Sequence, residues 1–173
     1  MSDFEQTDLA ALLSVLDRYS NLTVWVVGDL MLDEYVMGAV DRVSPEAPVP
    51  VVRVRETEHR LGGAANVARQ IAALGAKVSL AGTIGTDAAG ADLLRLCVNC
   101  GIDTRAVVRA AQRGTTRKLR VLGHSQQLLR MDWEDSSPCD ASVCTQMLAA
   151  LGAEAPDAVS SSRRFGVTVV APR

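Results

Sequence analysis

The sequence predicts an α/β fold, a partial doubly wound parallel sheet with a small antiparallel β lid, and three of its features carry that reading. A short apolar run rich in β-branched residues, Thr23–Gly28, ends on a carboxylate, Asp29. A helical stripe entered at Gly62-Gly63 leads directly to a second apolar run from Lys77, which gives strand, helix and strand in succession. At about residues 35–56 and 115–133 the apolar period changes to two, as in strands with one wet face. The 173 residues suit a single domain, since a chain of this size buries roughly 70% of its unfolded surface around one core. With 48% hydrophobic and 22% charged residues, 13 Gly and 6 Pro, the composition is globular and excludes a disordered or collagen-like chain.

Taken in order, Leu9, Leu12, Leu13 and Leu16 fall at helical spacing and predict a short amphipathic helix over 9–19. Thr23-Val24-Trp25-Val26-Val27 is a buried central strand. The ligand crevice of an open α/β sheet lies at the carboxyl ends of its strands, so Asp29 stands where binding chemistry is usually placed. On position alone it could equally cap or turn the chain. The next segments, Tyr35–Val43 and Val49–Arg55, are broken by Ser44-Pro45-Glu46-Ala47-Pro48; a similar pair, Thr115–Leu122 and Gln127–Trp133, is joined through Gly123-His124-Ser125-Gln126. These four read as lid strands, or else as edge strands of one sheet. Ala64, Val67, Ala68, Ile71 and Leu74 form an apolar helix stripe ended by Gly75. Its Gly-Gly entry lets a ligand approach the backbone, and the free N–H groups of its first turn, where Asn66 sits, attract hydroxyls or anions. Lys77–Gly82 is a second buried strand, Gly85-Thr86-Asp87 opens a helix running to Cys100, and Asp140 caps another that ends at Leu151.

Eighteen basic against twenty acidic residues leave a charge of −2, and aromatics are 3% of the chain. Without a basic field or stacking platforms, nucleic acid is a poor partner. The N-terminus, Met1-Ser2-Asp3-Phe4-Glu5, is acidic, and no apolar run approaches the ~20 residues that span a bilayer, so a cytoplasmic chain without a membrane partner is expected. Cys97 and Cys100 form C-x-x-C and Cys139 and Cys144 form C-x-x-x-x-C, which raises zinc or redox chemistry. Because the first pair lies in a helical stretch, reduced thiols are the preferred reading and no metal site is assigned. His59 and His124 have no partner at ligand or triad spacing.

Gly62-Gly63-Ala64-Ala65-Asn66-Val67-Ala68, with Gly75 and Gly85 at fixed offsets beyond it, resembles the first signature of the ribokinase-like (PfkB) carbohydrate kinases. More narrowly, Val27–Tyr35, Arg42–Val52, Thr116–Val121 and Gln126–Asp132 resemble the D-glycero-β-D-manno-heptose 7-phosphate kinase branch. The likeness covers about residues 20 to 158. It implies a ribokinase-like fold and ATP-dependent phosphorylation of the heptose 7-phosphate at O1, toward ADP-heptose and the lipopolysaccharide core. By the same resemblance Asp29 accepts hydrogen bonds from sugar hydroxyls, Gly62, Gly63 and Asn66 line the sugar pocket, and Lys118 contacts the 7-phosphate. These residue types suit a polyol, which needs fixed donors and acceptors, and a phosphate, which needs a cation. Read without the resemblance, Lys118 is equally a solvated lysine on an alternating strand.

Family members continue for roughly as many residues again, carrying a nucleotide site and a Gly-x-Gly-Asp motif whose Asp is the general base; no such motif occurs in these residues. Where a buried strand and loop are expected after Val159, the chain reads Ser160-Ser161-Ser162-Arg163-Arg164, and Phe165–Arg173 resembles the next family strand with Ala171 in place of its usual Asp. The expectation is one truncated kinase domain over 1–173, shortened by an internal deletion and lacking the nucleotide-binding half. ATP and Mg²⁺, which the intact family uses, are then not expected to bind well, no catalytic residue is assigned, and the chain alone is expected to be inactive. A homodimer through the lid sheet is implied by the same resemblance. A non-catalytic lid-mediated dimerisation module, or a fragment of another PfkB sugar kinase, are the alternatives.

Overall fold

The computed structural model describes residues 14, 17–124, 126–152, 155–163 and 166–170. Of the helix expected over 9–19, positions 14 and 17–19 are helical, and the rest lies outside the described residues. The first strand, β1 (Thr23–Gly28), leads through Asp29 into β2 (Leu30–Val43), which pairs with β3 (Pro50–Gly62). The chain continues through α1 (Gly63–Ala73), β4 (Lys77–Ile84), α2 (Ala88–Asn99) and β5 (Asp103–Arg109) to the hairpin of β6 (Thr116–Gly123) and β7 (Gln126–Trp133). It closes with α3 (Ala141–Leu151), β8 (Ala158–Arg163) and β9 (Gly166–Val170).

Among the described residues the main sheet has the order β5-β4-β1-β8-β9, with β1 parallel to both β4 and β8. Alternation of burial along β1 puts Val24 and Val26 into the core, one buried cluster that also holds Leu80 of β4, Ala64, Ala65 and Ala68 of α1, and Leu93 and Cys97 of α2. The small residues of α1 allow its backbone to lie close on the sheet. Helix α2 starts where Asp87 accepts the Gly90 N–H at 2.9 Å, so the aspartate of Gly85-Thr86-Asp87 is the cap itself. At α3 Asp140 occupies the cap position, but its side chain makes no capping bond; its backbone carbonyl takes the Val143 and Cys144 N–H groups instead.

The second sheet has the order β3-β2-β6-β7 and differs from the expected antiparallel lid. Its two hairpins are antiparallel, but the strands joining them, β2 and β6, run parallel from Met31↔Thr116 to Gly38↔Gly123. Both leave the domain at the same end, β2 from β1 and β6 from the loop after β5, so they meet side by side in the same direction. The lid strands are also longer than the alternation predicts. β2 starts at Leu30, 2% exposed, because its first turns of pleat still belong to the core, and β3 runs on to Gly62. The Ser-rich stretch, read from the sequence as standing in place of a buried strand and loop, is part of the strand β8, in register with β1 from Val24↔Ala158 to Gly28↔Ser162. A neighbouring strand with a full ladder of backbone groups outweighs the weak strand preference of three serines. Ser160 is 2% exposed, and its hydroxyl has no hydrogen-bond partner among the described residues.

Candidate functional site

Asp29 follows β1 at the carboxyl end of the central strand. Its backbone carbonyl accepts the Ala64 N–H at 2.9 Å, which pins the start of α1 to the end of β1. Its carboxylate is exposed and makes no hydrogen bond or ion pair among the described residues. The glycines at the helix entry have a packing reason of their own. Gly63 has φ +55°, and a Cβ there would lie 2.5 Å from the Asp29 carbonyl oxygen and 2.8 Å from Met31 Cε. A Cβ on Gly62 would lie 2.5 Å from an Asp33 carboxylate oxygen and 2.7 Å from Met31 Cγ. Both glycines therefore let the root of the lid strand β2 cross the helix start.

A cavity of about 500 Å³ opens between that root and the second lid hairpin. It brings together Asp29, Gly63 and Lys118, three of the five residues picked from the sequence, with Arg113, Arg130 and Glu134 around them. Lys118 is committed within it: Nζ lies 3.0 Å from an Asp132 carboxylate oxygen and 3.7 Å from a Glu134 carboxylate oxygen. The Lys118 ammonium holds the Asp132 carboxyl below the usual carboxylate range, and Arg130, 3.0 Å away, adds to the effect. A phosphate at Lys118 would compete with these carboxylates. Arg113 is held by the Asp135 carbonyl at 2.7 Å and the Ser137 carbonyl at 3.2 Å, which tethers the loop after β7 to the domain.

Asn66 lies elsewhere, in a second cleft of about 490 Å³ between the first lid hairpin, α1 and α2, where Tyr35, Arg60 and Arg69 also line the wall. Its side-chain oxygen accepts from Arg69 Nη2 at 2.9 Å. Gly63 and Asn66 are one turn apart on α1, so the two clefts flank the first turn of the same helix. Gly62 lines neither cavity and packs on Asp33 and Met31. Arg113, Arg130, Asp132 and Glu134 were not read from the sequence as site residues. The period-two alternation of β7 continues from Arg130 through Asp132 to Glu134, and Asp132 is paired in register with Lys118, so this signal was present once the hairpin register was known.

A model of the pfkB family carbohydrate kinases matches residues 22–153. The chain belongs to this family. Within the pfkB family it is 55% identical over 118 residues to a D-beta-D-heptose 7-phosphate kinase of Bordetella bronchiseptica, an alignment covering 68% of this chain and 37% of that relative. It is 50% identical over 131 residues to the bifunctional protein HldE of Caulobacter vibrioides, covering 75% of this chain and 27% of the relative. The chain thus spans little more than a third, or less, of the length of these relatives. A carbohydrate kinase structure from Agrobacterium tumefaciens superposes with a TM-score of 0.54 at 20% identity, over 65% of this chain and 35% of that one, and shares the fold. Carbohydrate kinases of this family use ATP and a metal. Among the described residues no group of three or more His, Cys, Asp or Glu side chains is arranged to hold a metal ion, and Asp132 and Asp135 are already paired with Lys118, Arg130 and Arg113. No helix among the described residues is long and apolar enough to cross a membrane.

Proposed function

We propose that this chain forms the sugar-recognition part of a heptose 7-phosphate kinase, with the cavity at the end of β1 as the site for the sugar phosphate. The observation that carries this reading is the free Asp29 carboxylate, which faces the same cavity as Gly63 and Lys118. A polyol binds through charged acceptors that hold its hydroxyls, and Asp29 is an acceptor with no competing partner among the described residues. Lys118 receives the phosphate as Asp132 turns wholly to Arg130, and Asn66, which lines the neighbouring cleft, is left out of this pocket. Phosphoryl transfer requires more than these 173 residues, which contain no Gly-x-Gly-Asp sequence and, among those described, no metal-holding carboxylate group.

Calorimetry with D-glycero-β-D-manno-heptose 7-phosphate tests the site. Loss of a charged acceptor costs ~1.5–3 kcal/mol, so Asp29→Ala should weaken binding about tenfold or more. Lys118→Ala should weaken the phosphorylated sugar and leave unphosphorylated heptose unaffected. Equal affinity of wild type and Asp29→Ala would overturn the assignment. In the same samples labelled ATP with Mg²⁺ should yield no product above a no-protein control.

A further reading concerns association. All of β7 is exposed, with Leu129 at 50% and Trp133 at 44%, and it forms one edge of the lid sheet. An open apolar edge of this kind favours pairing with a second copy.

A further inference from the structure

The C-x-x-x-x-C pair frames the start of α3. Asp140 has extended backbone, φ −63° and ψ 143°, and its carbonyl accepts from Val143 N at 3.0 Å and Cys144 N at 3.1 Å, which fixes it as the residue where the helix begins. Cys139 is therefore the residue before the cap and Cys144 the fourth residue of the helix. These are the two positions whose side chains often pack together across a helix start, usually as a pair of apolar residues. Here the pair is two thiols, both free and both exposed. Partial burial first, and then the neighbouring Cys144 thiol, raise the Cys139 thiol above its ordinary value. Cys139 also lines the cavity, at the end of the loop that Arg113 tethers. The other pair has a different fate. Cys97 is fully buried in the core and burial pushes its thiol up to about 12, so it has neither the access nor the thiolate for exchange.

We propose that Cys139 and Cys144 form a redox-modification site, in which a small disulfide such as glutathione disulfide closes an internal disulfide across the start of α3, on the wall of the cavity. One thiol loses its proton to solvent and its sulfur attacks a sulfur of glutathione disulfide, forming a mixed disulfide and releasing one glutathione thiolate. The second cysteine, deprotonated in turn, attacks the protein sulfur of that mixed disulfide, forms the Cys139–Cys144 bond and releases the second glutathione. The two thiols are oxidised by two electrons and glutathione disulfide is reduced to two glutathiones. A disulfide needs Cβ atoms about 3.5–4.5 Å apart, and the exposed loop before Asp140 supplies the adjustment that staple positions still require.

The test uses the full chain with glutathione disulfide at about pH 8.5, where an ordinary thiol is about half ionised, followed by acid quenching, alkylation in denaturant and tryptic mass mapping. Trypsin separates the pairs, since Met131–Arg163 contains Cys139 and Cys144 with no basic residue before Arg163, and Leu96–Arg105 contains Cys97 and Cys100. The expected result is a Met131–Arg163 peptide that has lost two hydrogens, takes no alkyl group, and regains both alkylation sites after dithiothreitol. Cys144→Ser should give at most one glutathione on that peptide. The folded chain should close the bond roughly tenfold or more faster than the same chain in urea, because the helix start holds the sulfurs together. A doubly alkylated peptide, two glutathiones on it, a bond to a second chain, or equal rates in urea would each overturn the proposal.

Discussion

At the scale of single residues, the site depends on contacts that leave no room for a side chain. Gly63→Ala places a methyl group against the Asp29 carbonyl in a backbone region that L residues avoid. A cost of about 1–3 kcal/mol is expected from these two strains, read as a lower denaturant midpoint with an unchanged slope. Asp87 makes a second demand. Burial would raise its carboxyl, but the Thr115 hydroxyl at 2.6 Å and the Thr115 and Gly90 N–H groups at 2.9 Å outweigh burial and hold it below the usual carboxylate range. Because the folded value lies below the unfolded one of about 3.9, its contribution is complete above that pH and is lost as pH falls through the folded value. Wild type should therefore lose stability between about pH 5 and pH 3 more steeply than Asp87→Asn, compared by urea unfolding across that range. Identical slopes would show that this network does not titrate with folding.

At the scale of elements, the strands of the lid are fastened to one another by a few charged residues in a mostly wet sheet. Glu34 of β2, 7% exposed, is gripped by Arg117 of β6 at 2.7 and 3.1 Å, and the same guanidinium stacks 4.5 Å over the Trp133 ring of β7. One arginine thus ties three strands together. Arg117→Met should cost about 3 kcal/mol, the low end of the range for an orphaned buried charge because Arg117 is a third exposed, and Glu34→Gln should recover part of it in the double variant. Thermal unfolding of the two single variants and the double variant measures the coupling. The elements with strong local signals were legible in the sequence: β1 and β4 as apolar runs, α1 as a stripe, and the lid strands as alternation. β5 was not anticipated, because Arg105 and Arg109 interrupt its alternation and its pairing with β4 supplies the order instead. The parallel β2–β6 contact was illegible for a related reason, since nothing local in either strand records the direction of a distant partner. In the proposed site, Asp29 stands out in the sequence by its place after a buried strand, whereas the carboxylates around Lys118 emerge only from the hairpin register.

At the scale of the whole molecule, the balance of covered and open surface decides behaviour. Leu129, Met131 and Trp133 stand exposed along β7 at the open edge of the lid, and Val43 and Val54 are exposed at its other side. Sedimentation should therefore detect concentration-dependent association, and Leu129→Lys should shift it toward monomer without lowering the unfolding temperature, because a charge at an edge strand opposes pairing between chains. A wild-type chain that stays monomeric across the range would contradict this. The parallel contact between β2 and β6 has a further consequence, in the time taken to fold. All of α1, β4, α2 and β5 lies between these two strands, so the lid cannot be completed from a contiguous stretch of chain. The entropy of closing that long loop is lost before the contact repays it, which makes the lid a late and slow event in folding. The same threading means that the lid cannot be cut out or transplanted as a cassette: a graft must carry the strand–helix core between its two halves.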